Sequence, residues 1–437
     1  MNVKIILYKN IDSEKTIYVN SKLYHTLQID KYSNTNLHFG TSKENCHISI
    51  DSSLKHNEIK IPAIINGFII PTVFHYECKV NHNSFMVGPV IGIMGCRDRK
   101  YLSENVLSKL QYRLKESWKV NGLFFVFAEN DVDPMKKQVK GFYFHPRKQK
   151  WVDGIFPLPN VVIISKNSMS RRGYQYFTNL IGQNVFYSDH LTKWYQYKMI
   201  SKQPSLSKYV PKTKKLVNKH SFLEMINEFG AVYLKPNRSY QGKGIIKIEQ
   251  HGDVYKIKNI HGHIKMIFQK HILLKYVTYK MKQKYLIQQA IPFSKGGSLI
   301  DFRLYLQKDK EKQWGSSGIM ARIGKKGSII TNANHRMNVL PSHYAFARYY
   351  GLDNKQIFSV QDEMINICKK TAEYIEECGN HLGDVAFDLI VDKDLNIWML
   401  EFQGGYGAEM KEKNMPKRVY LKLMITPLEY AKALTGF

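Results

Sequence analysis

The chain has 437 residues, enough for two or three domains, and a hydrophobic share of 43% lets it bury real cores. Lysine and arginine number 65 against 36 acids, a formal charge of +29 that predicts attraction to polyanions such as nucleotides, nucleic acid or acidic polymers. Five scattered cysteines with no CxxC pair argue against a disulfide framework, no apolar run approaches the ~18 residues of a membrane span, and the opening run is too short for a signal peptide. The expectation is a soluble, cytoplasmic protein with reduced thiols.

Residues 1–84 are dense in Asn, Ser, Thr, Ile and Tyr. Short β-type runs at 3–8, 16–19, 47–50 and 67–73 alternate with polar turns and predict a small β-rich domain. His75, Cys78 and His82 match no metal-ligand spacing. The run FMVGPVIGIM (85–94) predicts a buried strand, 102–118 a helix, LFFVFA (123–128) a second strand, and 141–144 and 161–164 shorter ones. Strand, helix, strand is the pattern of an open α/β layer, here assigned to a domain at 85–185. Residues 151–159 (WVDGIFPLP) read as a turn-rich loop and 174–180 as a short helix.

From His190 the pattern changes, and 186–437 forms the third domain. HLTKWYQYKMIS reads as helix, 204–211 as loop, and 220–229 as an amphipathic helix with Ser221 as candidate cap. Strands are predicted at 232–235, 245–249, 285–291, 302–307 and 317–322, then an amphipathic helix at 361–378 and a terminal helix at 427–434. Residues 254–300 contain no acid and nine lysines, which either a solvated basic face or a polyanion site explains.

Two stretches carry chemistry on their own residues. The runs 385–391 and 397–402 flank a polar Asp/Asn turn at 392–396 and predict an antiparallel hairpin with one acid in each strand, Asp388 and Glu401. Alternation points Gln403 the same way as Glu401. Carboxylate and amide oxygens are hard ligands that suit Mg²⁺; the other reading is a half-buried hairpin whose acids face water. Upstream, the strand VYLK runs into a loop holding Arg238, Gly242, Lys243 and Gly244. Glycines there let backbone N–H groups close on an anion, and Lys235 at the strand end is a point charge for phosphate. No GxxxxGK[ST] motif occurs, and an ordinary glycine-rich turn is the alternative.

The succession VYLKPNRSYQGKG, LIQQAI (286–291), DFRLYL (301–306), GIMARIG (318–324) and FDLIVD…WMLEFQ resembles the ATP-grasp fold. More closely it resembles the YheC/YheD family of spore-coat-associated ATP-grasp proteins of endospore-forming bacteria. VGPVIGIM, FVFAENDVD, KGFYFH and FPLPNVVI follow the family's order, so the resemblance spans residues 86–437.

The resemblance implies an α/β (α+β) architecture: an ATP-grasp fold preceded by a small open α/β pre-ATP-grasp-like domain and an N-terminal β-rich domain. It implies ATP and Mg²⁺ as cofactors. Lys193 and Lys235 resemble the two lysines on the ATP phosphates, and Gly242, Lys243 and Gly244 the lid above them. Gln288, Gln289, Ala290 and Ile291 look like the hinge whose backbone meets adenine. Asp301 and Arg303 match the D-x-R pair near ribose and substrate, Arg322 the arginine that steadies the transferring phosphoryl group, with Asn332 nearby. Asp388, Glu401 and Gln403 occupy the metal positions. Departures are Gln403 where the family usually has Asn, NANHRMN after Thr331 in place of a Gly-rich patch, and Asn160 where relatives often have Asp.

The implied activity is an ATP-dependent carboxylate–amine ligase working through an acylphosphate, in a protein of the mother-cell cytoplasm or associated with spore coat proteins. The rival is a coat component that keeps the fold and binds nucleotide or an anionic polymer without making a bond; turnover separates the two. A nucleic-acid-binding reading rests on charge and on aromatics near the lysines (Trp194, Tyr195, Tyr197, Tyr276, Tyr279, Tyr285), with no RRM, KH or zinc-finger pattern beside them.

Overall fold

The structure, a computed structural model, describes every residue except 1–3, 10–14, 27–33, 82–83, 166–168, 188–190, 238–241, 292–296 and 405–414. It divides into two units: Met1–Ser188 with Lys308–Gln313 and Leu421–Phe437, and Asp189–Gln307 with Trp314–Tyr420. Among the described residues no helix is long and apolar enough to cross a membrane.

The first unit is built on two sheets. In the N-terminal one the order is Lys4–Tyr8, Glu58–Pro62, Thr16–Val19, Ser42–Ile50, Thr35–Phe39, Ser84–Gly88, Glu77–Asn81. The expected strand at 67–73 is reduced to Phe68–Ile69 in a small two-stranded ribbon. In the second sheet Val90–Cys96 lies parallel between Leu123–Ala128 and Val161–Ile164, with Val185–Tyr187 beyond. The helix between the first two strands runs Glu104–Leu114, shorter than 102–118.

The apolar run 85–94 is therefore not one strand. Pro89 has no N–H to give a ladder, so the run splits there and each half joins a different sheet. The stretch expected as a loop at 151–159 is instead the strand Lys150–Pro157, paired along its length with Gln138–His145. Its Phe156 ring stacks on Phe125 at 4.6 Å, a burial that outweighs the turn residues Gly154 and Pro157. Asn160 uses both ends of its amide: Oδ1 accepts from the Val90 N–H at 3.0 Å, and Nδ2 donates to the Gly40 carbonyl at 2.9 Å. An aspartate could make only the first bond, which explains the amide here.

The second unit carries the candidate site on two more sheets. One has the order Thr213–Lys215, Tyr285–Gln289, Ala231–Pro236, Ile246–His251, Val254–Asn259, Ile264–Ile267, all neighbours antiparallel. Alternation gives it an apolar face (Val232, Leu234, Ile246, Ile248, Ile257, Ile287), which packs under helices Lys219–Phe229 and Lys270–Lys282. The other face, with Tyr233, Lys235, Lys247, Lys258 and Gln288, is polar. The last two strands and the second helix were not anticipated; their lysines break the apolar period from which elements are read.

The cap of Lys219–Phe229 is Asn218, whose Oδ1 accepts from Ser221 N–H at 2.8 Å; Ser221 itself sits one turn inside. The helix stops at Gly230, φ +66°, the left-handed position that glycine takes without strain. The loop 204–211 holds a single helical turn, Pro204–Ser207.

The other sheet has the order Arg336–Pro341, Trp314–Gly324, Ile300–Lys308, Asp384–Val391, Ile397–Gly404. Helix Asn354–Glu377 packs against Trp314–Gly324. It starts seven residues before the expected 361 because Asp353 and Gln356 cap each other reciprocally, at 2.8 and 3.0 Å. The terminal helix likewise begins early, at Lys417, with Pro427 inside it.

Candidate nucleotide and metal site

The hairpin Asp384–Val391 and Ile397–Gly404 is closed by Asp392. Its carboxylate accepts from the N–H groups of Asp394 and Asn396, both at 2.9 Å, and from the Trp398 indole at 2.9 Å. That turn sets the register as far as Leu389 opposite Met399; a bulge at Leu400 then shifts the pairing by one residue and puts Asp388 directly opposite Glu401 and one strand over from Arg303. Gln403 Nε2 reaches Asp388 Oδ2 at 3.2 Å and Glu401 Oε1 at 2.5 Å; alternation puts Gln403 on the face of Glu401, and the bulge brings Asp388 to the same face.

Behind them lies a buried ionic quartet. Arg303 grips Asp388 with two parallel bonds, Nε to Oδ1 at 2.8 Å and Nη2 to Oδ2 at 2.9 Å. Arg322 grips Asp301 the same way, at 2.7 and 2.6 Å, and reaches Asp388 Oδ2 at 3.2 Å. All four side chains are at least nine-tenths buried. Burial alone would raise the Asp388 carboxyl, but the charges of Arg303 and Arg322 outweigh it and hold the group at about 2. Thr331 donates its hydroxyl proton to Asp301 Oδ2 at 2.5 Å.

In front of the acids stand two lysines. Lys193 opens the helix Lys193–Ile200 and pairs with Glu401 Oε2 at 3.1 Å. Burial pushes Glu401 up, yet Lys193 and Lys235 hold it below the ordinary carboxylate range. Gln196, one turn on, accepts from Phe402 N–H at 3.1 Å and donates to its carbonyl at 3.0 Å, tying the helix to the last strand. Lys235 bonds to the Gln288 amide oxygen, and Gln288 Nε2 donates to Thr213 at 2.9 Å. Burial brings the Lys235 ammonium down to about 8, against the pull of Glu401 and Asp388. A cleft lined by Lys193, Gln196, Lys235, Gln288 and Glu401 runs between the two sheets of this unit.

The strand expected at 285–291 ends at Gln289. The N–H groups of Gln289 and Ala290 are committed to Lys212 and Ala231 carbonyls, at 2.9 and 3.1 Å, while Ile291 lies past the ladder. Gly242 and Gly244 both have positive φ, +73° and +78°. A Cβ on Gly242 would stand 2.6 Å from Ile330 Cδ1 and 3.0 Å from Asn332 Nδ2, so the glycine turn rests on the 330–332 segment. Lys243 at its tip is exposed, and Arg238 lies outside the described residues.

The structure thus gathers Lys193, Lys235, Gln288, Asp301, Arg303, Arg322, Asp388, Glu401 and Gln403 into one connected cluster. Sequence reasoning missed Thr331, Thr213 and Gln196. Only their side-chain bonds across 30, 75 and 206 positions mark them, and no local signal encodes those. Four cations (Lys193, Lys235, Arg303, Arg322) face three carboxylates (Asp301, Asp388, Glu401). The donors nearest the cleft are hard oxygens, which fits a divalent cation that arrives with further negative charge.

Residues 182–434 match the family model described as YheC/D like ATP-grasp. The chain is similar to the endospore coat-associated protein YheD of Bacillus subtilis (strain 168): 20% identical over 397 residues, covering 83% of this chain and 82% of that one. It is similar to the endospore coat-associated protein YheC of the same organism, 21% identical over 307 residues, 65% and 81% of the two chains. Among solved structures it is similar to the ADP complex of PurK, N5-carboxyaminoimidazole ribonucleotide synthetase (12% identity, 78% and 76% covered, TM-score 0.45). The VanG D-Ala:D-Ser ligase from Enterococcus faecalis gives 12% identity, 78% and 98% covered, TM-score 0.45.

Proposed function

This chain belongs to the YheC/D-like ATP-grasp family, and from that premise we propose that it binds ATP with Mg²⁺ and joins a carboxylate to an amine. One observation carries the reading: Lys193, Lys235 and Arg322 share a single cluster with Asp388, Glu401 and Gln403, so cations for phosphate stand beside hard oxygens for metal. Asp388, Glu401 and Gln403 would hold Mg²⁺, which when bound neutralises phosphate charge.

The chain's own part is positioning and charge. Lys193 and Lys235 meet the ATP phosphates, the turn Gly242–Lys243–Gly244 closes above them, and the strand end at Gln288–Ile291 receives adenine. A substrate carboxylate oxygen attacks the γ-phosphorus; the bond to the β–γ bridging oxygen breaks and ADP leaves. Arg322, fixed by Asp301 and Asp388, faces the negative charge that spreads over the transferring group, and Arg303 keeps Asp388 ionised. The amine then attacks the acyl carbon, phosphate departs, and the nitrogen releases a proton. Preorganisation explains the bonds of Gln288 to Lys235 and of Gln196 to Phe402: the first fixes the lysine assigned to phosphate, the second the strand between Glu401 and Gln403.

The test is isothermal titration of the full chain with a non-hydrolysable ATP analogue, with and without Mg²⁺, beside Lys235→Ala. Saturable binding that metal strengthens and the variant loses supports the site; no binding sinks it.

A second reading is favoured by the crowding of Asp388, whose Oδ2 already accepts from Arg303, Arg322 and Gln403. A chain that keeps the nucleotide site and makes no bond would bind the analogue and release no phosphate in a screen of carboxylates and amines. From the names of the relatives we also propose association with the endospore coat. A fluorescent fusion that stays away from the forming coat would remove that part.

A further inference from the structure

The basic charge of the second unit is not spread evenly, and its distribution has a spatial counterpart. Two long stretches contain no Asp or Glu, 254–300 and 312–352. They are separated in sequence by Asp301, which is buried against Arg322, and by Asp309 and Glu311 on a hairpin tip. In the fold the two stretches meet. The connection 325–335 lies on the polar face of the sheet that carries Lys235: the Tyr233 hydroxyl donates to the Ile329 carbonyl at 3.2 Å, and Ile245, Ile329 and Ile330 form a small apolar seam.

Along that seam lysines and histidines collect. Lys258 Nζ stands 3.3 Å from the position of a Cβ on Gly327, and the stem of Lys326 packs over Gly297. The rings of His261 and His335 are 6.1 Å apart, as are those of His261 and His263. Lys325 Nζ donates to the Asn334 carbonyl at 3.1 Å. Among the described residues no carboxylate pairs with Lys258, Lys325 or Lys326. The neighbouring acid is Glu249, two positions along the sheet face and held by Lys247 at 2.7 Å. Lys325, Lys326, His261 and His263 are exposed. Same-sign charges held together without counter-ions cost free energy unless a ligand supplies the opposite sign, so the cluster is complementary to an anion carrying several charges.

The position of the cluster selects which anion. The same connection carries Thr331, bonded to Asp301, and Asn332, beneath Gly242, so one short segment joins the cluster to the Asp301–Arg322 pair and to the glycine turn assigned to phosphate. We infer that this basic patch binds the acceptor, and that the acceptor is a carboxylate-rich peptide in which one carboxylate is activated while its neighbours hold the chain on Lys258, Lys326 and the histidines. This rests on the carboxylate-activating reading above. That chemistry requires a carboxylate at the γ-phosphate, and a polycarboxylate provides both the reacting group and the anchoring charges.

Fluorescence anisotropy of the full-length protein with a labelled ten-residue oligo-glutamate tests it. Comparison probes are the glutamine peptide, an inorganic polyphosphate and a single-stranded oligonucleotide. Variants are Lys258→Gln with Lys326→Gln, and separately Lys326→Glu, each checked by thermal melting for an intact fold; the single charge reversal on an exposed side chain serves if the double variant melts early. Saturable oligo-glutamate binding is expected, at least tenfold tighter than the glutamine peptide and polyphosphate, and weakened at least tenfold in both variants. The affinity for the ATP analogue is expected to stay within threefold. Oligo-glutamate binding that the folded variants keep, or polyphosphate or oligonucleotide bound as tightly, overturns the inference. Loss of ATP-analogue binding in Lys235→Ala with retained peptide binding leaves this inference standing beside the nucleotide site. Absence of any nucleotide binding in the wild type fails the parent reading instead.

Discussion

Lys235→Met offers a direct measure of how far the site is built for charge at the expense of stability. Burial sets the Lys235 ammonium at about 8, against 10.5 for an ordinary lysine. At about 1.4 kcal/mol per pH unit, keeping the proton in the folded protein at neutral pH costs about 3 kcal/mol. Methionine fills similar volume and carries no charge, so this cost disappears. The variant also loses the bond to Gln288, worth ~1 kcal/mol, and leaves a buried amide oxygen unpaired at ~1–3 kcal/mol. Those terms nearly cancel, so absolute stability at pH 7 is a poor readout and its pH dependence is the informative one.

The sign is fixed by linkage. Between about 8 and 10.5 the unfolded chain holds a proton on Lys235 that the folded chain lacks, so wild-type stability gains with pH there; below 8 both states are protonated and the contribution is flat. Every other titrating group is common to both proteins. Urea unfolding followed by tryptophan fluorescence should therefore show wild type rising relative to the variant by about 2 kcal/mol from pH 7 to pH 9.5. Parallel profiles would mean that Lys235 is an ordinary solvated lysine, which would refute both the buried placement and its poise for phosphate.

Asp388→Asn leaves two buried guanidinium groups short of counter-charge and should cost about 3–5 kcal/mol in urea unfolding. Because the folded carboxyl lies at about 2, below 3.8, wild type alone should shed about 2 kcal/mol as pH falls from about 4 through 2. Gly242→Ala forces a Cβ to 2.6 Å from Ile330 at φ +73° and should weaken ATP-analogue binding at least tenfold. Gly252→Ala, with φ +59° and nothing within 4 Å, should show the conformational cost of ~1 kcal/mol and unchanged nucleotide affinity. With four cations against three carboxylates in the cluster, Mg²⁺ alone should give no saturable heat at millimolar concentration and should bind once the ATP analogue is present; micromolar binding of Mg²⁺ alone would contradict that charge count.

Much of the fold and the candidate site is written locally. Glu401 and Gln403 share a face by a strand's two-residue period, which is legible locally; that Asp388 joins them depends on a bulge at Leu400, without which the turn's register would set Asp388 opposite Leu400. Lys235 and its glycine turn were legible locally too, since positive φ falls to glycine. The helix from Asn354 was predicted from its apolar stripe, and only its start was late, because a cap is a hydrogen bond and leaves no period.

Other features depend on residues far apart in the chain. Nothing near residue 331 announces that its hydroxyl meets Asp301, and nothing near Gln196 announces a bond to Phe402. The two-sheet fate of residues 85–94 needed the partner strands, and the strand at Lys150–Pro157 needed Phe125 to stack on. The sequence by itself determined the order of elements, the last hairpin with one acid in each strand and the excess of positive charge, because apolar runs, turn residues and composition are local quantities; the bulge that sets the two acids opposite each other was decided by the fold. Only the tertiary structure decided that Asp388 is held ionised by two arginines, that Lys235 is desolvated, and that two acid-free stretches converge into one cationic patch. Pairing, burial and charge density depend on distances in space, which are fixed when the sheets assemble.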